Sequence, residues 1–148
     1  MTTKHSAATL RAHAVDLAKA FNVRLIESTQ LQPEEAVGLS RLRVALVSTI
    51  IDETTYAVAL HEMGHLASPT GVLRHASTGD LGNLMRAEED AAWTWARHYA
   101  LEWTPVMDAV ARWAEATYAA PPTRPVVVAP PVPVAPKQSI NWNDWSKK

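Results

Sequence analysis

Tyr56-Ala57-Val58-Ala59-Leu60-His61-Glu62-Met63-Gly64-His65-Leu66-Ala67 is the stretch on which the reading of this chain turns. Tyr56, Ala59, Leu60, Met63 and Ala67 recur with helical spacing, so the segment reads as a helix with one face in a core. Residues four apart on a helix stand one above the other. His61 and His65 therefore present both imidazoles to a common point, flanking the apolar stripe rather than opposing it. Glu62 lies beside that pair, where its carboxylate is placed to take a proton.

Two histidines and a glutamate in H-E-x-x-H spacing form two ligands and a general base of a zinc peptidase on one helical turn. The competing reading is a helix that carries two histidines by coincidence. Local context favours the first. Thr54 or Thr55 is placed to cap the helix start, with Asp52 and Glu53 near its positive end, and Ser68-Pro69-Thr70-Gly71 stops it. Gly64 costs about 1 kcal/mol in a helix interior relative to alanine. It makes sense there if another backbone packs closely against that turn.

Working outward, 148 residues with 47% hydrophobic content predict one compact domain. A net charge of −1 and a pI near 6.6 give no electrostatic footprint for nucleic acid or an anionic membrane. Without cysteine there are neither disulfides nor thiolate zinc sites. No apolar run approaches the ~20 residues that span a bilayer, and Met1-Thr-Thr-Lys-His lacks a hydrophobic signal region. The expectation is a cytoplasmic protein.

Before the motif, residues 6–21 read as a helix capped by Ser6, with Leu10, Ala14, Leu17 and Phe21 inside. Val23–Glu27 and Arg41–Ser48 read as strands of a small sheet leading into the motif helix, separated by a polar loop containing Pro33. After it, residues 68–83 hold three of the five glycines and read as an irregular segment placed to line a cleft. Its Arg74 and His75 are candidates for facing the site, a solvated loop histidine being the commoner case.

A helix is predicted over residues 84–103. Glu89, Trp93, Ala96, Ala100 and Trp103 share one stripe, and a carboxylate amid tryptophans is costly unless compensated. An ion held by His61 and His65 supplies that compensation, so Glu89 is preferred to Glu88, which is rotated by about 100°. The alternative is two surface glutamates favoured by the helix dipole. The tryptophans themselves read as core packing. Thr104-Pro105 opens a last helix with Val106, Val110, Trp113 and Thr117 as its expected inner face.

From Pro121 the composition changes. Seven of the ten prolines fall between Pro121 and Pro136, which predicts an extended polyproline-like spacer. Residues 138–148 follow, a polar peptide carrying Trp142 and Trp145, which either docks on the parent domain or binds a partner. The expected division is a domain over 1–120, a linker over 121–137 and a terminal peptide over 138–148.

The block His61-Glu62-Met63-Gly64-His65, followed by Glu89-Asp90-Ala91-Ala92-Trp93-Thr94-Trp95-Ala96, resembles the ImmA/IrrE-type metallopeptidases of phages and mobile elements. There, H-E-x-G-H precedes a helix reading roughly E-x-x-A-N-x-F-A. The resemblance covers approximately Val44 to Trp103. It implies an α+β, zincin-like domain, mainly helical with two or three short strands, and gluzincin-like zinc ligation by His61, His65 and Glu89. Where the family often has Asn or Asp to support a ligand histidine, this chain has Trp93, so either another group orients that imidazole or the site is less firmly held.

The expected function is a small zinc-dependent peptidase acting on a protein or peptide, in host cytoplasm if phage-encoded. Glu62 is its general base, and Tyr99, His75 and Arg74 are candidate oxyanion donors. The alternatives are a zinc-binding adaptor that docks a partner through its tail and a phage structural or morphogenesis component.

Overall fold

The computed structural model describes residues 5–67 and 81–119. Arg74, His75, the proline-rich segment and the terminal peptide with Trp142 and Trp145 lie outside the described residues. The fold is α+β: helix α1 (Ala7–Ala20), strands β1 (Arg24–Ser28), β2 (Val37–Leu39) and β3 (Val44–Ser48), then helices α2 (Glu53–Ala67), α3 (Leu81–Tyr99) and α4 (Pro105–Ala119). The sheet order is β1-β3-β2, with β1 parallel and β2 antiparallel to β3.

Helix α2 is the hub, packed against α1, β3, α3 and α4. Its Tyr56, Ala57, Ala59, Leu60 and Met63 are buried with Ala45 and Val47 of β3, Trp93 and Ala96 of α3, and Met107 and Ala111 of α4. The cap is Asp52 rather than a threonine: its carboxylate accepts from the Thr55 N–H at 2.9 Å, while the Thr55 hydroxyl accepts from the Asp52 N–H at 3.1 Å. Each side chain thus serves the other's backbone at the helix start, the logic of a capping box. Ser6 caps α1 through the Thr9 N–H at 3.2 Å, and Thr104 caps α4 through the Met107 N–H at 3.3 Å. The Thr104 hydroxyl also donates to Glu53 at 3.1 Å, joining the starts of α2 and α4.

Three further expectations are corrected. Residues 40–42 form a 3-10 turn rather than the start of a strand, and Arg43 follows in a left-handed conformation with φ 51°. Its guanidinium compensates for that strain. It donates to the Phe21, Asn22 and Leu66 carbonyls at 2.6, 2.8 and 3.1 Å, serving the exits of α1 and α2 together. Helix α3 starts at Leu81 and ends at Tyr99, short of Ala100 and Trp103. On α4 the expected inner face is turned outward: Val106, Trp113 and Thr117 are exposed and Val110 only partly covered, while Met107 and Ala111 are buried. The inward stripe of α4 is thus Met107 and Ala111, rotated away from the face that Val106 and Trp113 share.

Candidate metal centre

Gly64 decides how closely the two helices of the site approach. A Cβ built there would lie 2.6 Å from the Ala92 carbonyl oxygen and 3.0 Å from its Cα. Only a residue without a side chain allows α3 to lie on this turn of α2, as the glycine in the motif suggested. The close packing puts Glu89, one turn before Ala92 on α3, opposite the two histidines.

His61, His65 and Glu89 form a group whose ligand atoms lie within 4.8 Å of one another and which could hold a metal ion. His61 Nε2 is 3.0 Å from Glu89 Oε2, His65 Nε2 is 3.3 Å from Glu89 Oε1, and the two Nε2 atoms are 3.1 Å apart. Donors at about 2.0–2.2 Å from a tetrahedral ion are themselves about 3.3–3.5 Å apart. The two ring nitrogens, and each ring nitrogen with the carboxylate oxygen nearest to it, are therefore spaced within a few tenths of an ångström of such donors, with Oε2 facing His61 and Oε1 facing His65. The carboxylate is also left with unmet demand: despite its proximity to His61, Glu89 Oε2 makes no aligned hydrogen bond and is buried. An oxygen in contact with a ring nitrogen but off the N–H direction suits a shared cation better than a direct bond.

Electrostatics runs the same way. Burial works to raise the Glu89 carboxyl, but the His61 and His65 imidazoles outweigh it and hold it down at about 2. Burial works against charging His65, yet the carboxylates of Glu89, Glu62 and Glu88 together raise its pKa. Glu88 is close enough to be felt by His65 but is not a member of the triad.

Glu62 stands beside the group without joining it. Burial pushes its carboxyl above the ordinary range, with His61 and His65 pulling it down, Glu89 raising it and the Gly38 N–H pulling it down. A Cβ at Gly38 would meet the Glu62 main-chain oxygen at 3.2 Å and Oε2 at 3.3 Å. The middle of β2 thus fits against this carboxylate because it carries no side chain. Nothing in the sequence singled out Gly38, since three residues are too few to show a strand period.

His61, 6% exposed, is held on its Nδ1 side by a ring rather than by a hydrogen bond. Its imidazole stacks on Trp93, with centroids 4.1 Å apart and planes 21° apart, while Nδ1 has no partner. Trp93 is 2% exposed, so the expectation of core packing and the question of what orients His61 have one answer. Tyr99 is not brought to the group. Ten residues beyond Glu89, it lies about 15 Å further along α3, packed against Phe21 and Trp95. No family model, curated protein or solved structure matches the chain.

Proposed function

We propose that the chain is a small zinc-dependent peptidase with a zincin-like fold, of the kind its motif resembles. The observation that carries this reading is the meeting of two imidazoles from α2 and one carboxylate from α3, with a second, separate carboxylate beside them. Two neutral nitrogens and one carboxylate oxygen, without sulfur, suit zinc among the biological cations. When bound, zinc supplies Lewis acidity, polarising a carbonyl and bringing the pKa of water to about 7. His61, His65 and Glu89 are the residues that would hold it.

Glu62 carries the proton chemistry. Its carboxylate takes the proton from the attacking water and delivers it to the leaving amine as the peptide bond breaks. A partly buried carboxyl with a raised pKa suits both halves of that task, being basic enough to accept and acidic enough to return the proton. The Gly38 N–H lies on the side that favours its charged form. Trp93 excludes water behind His61 and limits rotation of the imidazole.

The decisive experiment compares the wild type with Glu62→Gln. Both should retain about one zinc per chain by metal analysis, and only the wild type should generate new N-termini when expressed in cells. Equal cleavage by the two proteins, or a wild type that takes up no zinc, overturns the reading.

A further inference from the structure

Helix α4 presents to solvent the residues that its sequence would put inside. Val106 is 48% and Trp113 67% exposed. With Val110 they line one side of an apolar groove of about 680 Å³, closed on the other by Val58 of α2 and by Pro33 and Glu34 of the 3-10 turn Pro33–Glu35. An exposed tryptophan beside apolar neighbours in a groove has the composition that contact sites use.

We propose that this groove is the docking site for the chain's own proline-rich segment, residues 121–136, laid back along α4. The segment follows that helix almost at once: α4 ends at Ala119 and the first proline is Pro121. From Ala119 back to Val106 is about 20 Å along the helix. A polyproline chain advances about 3.1 Å per residue, so roughly seven residues cover that distance and the others make the reversal. Seven prolines and five valines in these sixteen positions give an apolar, pre-extended ligand of the kind that aromatic-lined grooves accept. Charge agrees as well. Arg124 is the one charged residue in the segment, and Glu34 is, among the described residues, the one charged side chain lining the groove. Tethering places the ligand at an effective concentration of about 1 mM, so an intrinsic Kd of ~0.1 mM keeps the groove about 90% covered. None of this depends on zinc or on peptidase activity.

The test uses the full chain beside a variant in which residues 121–136 are replaced by a Gly-Ser spacer of equal length. Hydroxyl-radical footprinting reads oxidation of Trp113, with buried Trp93 as an internal control for folding. The expected result is several-fold slower oxidation of Trp113 in the native chain, unchanged across a hundredfold range of protein concentration. Arg124→Glu should recover part of the difference. Equal Trp113 rates in the two chains overturn the proposal. So does protection that grows with concentration, which would mean the groove takes the segment of a second copy. If Trp93 in the spacer variant reports misfolding, Arg124→Glu decides alone: an unchanged Trp113 rate is then the overturning result.

Discussion

Among the polar side chains that helix α2 buries, Tyr56 and His61 stand five residues apart, and the protein treats them in opposite ways. The Tyr56 hydroxyl pairs with His13 Nδ1 at 2.6 Å and accepts from the Leu101 N–H at 3.2 Å, so its demand is met within the chain. His61 has an unpartnered Nδ1, and its contact with Glu89 leaves a carboxylate oxygen without an aligned bond. Buried polar groups cost free energy unless satisfied. The closed pair is scaffold. The open one has demand left over that a bound cation would meet, and on the proposed reading that contrast separates a structural from a functional use of the same helix.

The contrast breaks most readily at Gly64. In Gly64→Ala the new methyl would fall 2.6 Å from the Ala92 carbonyl, so α2 and α3 must separate at a cost of about 3 kcal/mol. Thermal unfolding should show the loss, and zinc should no longer raise the midpoint. The Tyr56 pair, on another part of α2, should survive.

Zinc itself should sharpen the contrast. At a free concentration a hundred times its Kd, the metal should stabilise the wild type by about 2.7 kcal/mol. Glu89→Gln should lose nearly all of that gain, whereas Tyr56→Phe should keep it. Equal gains in wild type and Glu89→Gln, followed by calorimetry with and without zinc, would place the ion elsewhere.

Tyr56 gives the complementary test in pH. Burial pushes its phenol up to about 12, with the Leu101 N–H pulling the other way. The folded pKa is above the unfolded value near 10, so this stabilisation is complete below pH 10. It is lost as pH rises from about 10 through about 12, by on the order of 2–3 kcal/mol. Chemical denaturation across that window should show the fall in wild type but not in Tyr56→Phe, which should cost about 1 kcal/mol at neutral pH.

The smallest structural effect is expected at Gly38. In Gly38→Ala the added methyl meets the Glu62 main-chain oxygen at 3.2 Å and its Oε2 at 3.3 Å; a small carboxylate shift relieves the second, and the first asks β2 to give by a few tenths of an ångström. Stability should change by less than about 1 kcal/mol. The rate of hydrolysis should fall severalfold with zinc content unchanged, because only the base is displaced.

Much of this arrangement was legible in the residues. The spacing of His61 and His65, the demand of Gly64 for a close backbone neighbour and the cost of Glu89 on a tryptophan stripe each rest on local geometry that a helix imposes. The α+β class followed from the order of periodic segments, and Ser6 and Thr104 cap where expected. What stayed hidden depends on partners distant in sequence. Ranking α4 by hydrophobicity picks Val106, Val110 and Trp113, but contact with α2 selects Met107 and Ala111 for their fit. The Asp52 cap was missed because Thr54 and Thr55 are equally good candidates on residue type. No pattern in three residues could reveal that β2 sits beside Glu62.

Arg43 couples parts of the chain that otherwise end separately. One planar cation serves carbonyls at the exits of both α1 and the helix that carries the histidines, a task that the single ammonium of lysine cannot match. Fraying at either terminus must release the same guanidinium. The last turns of the two helices should therefore open as one cooperative unit, with amide protons exchanging at a common rate that the sheet, rather than either helix, controls.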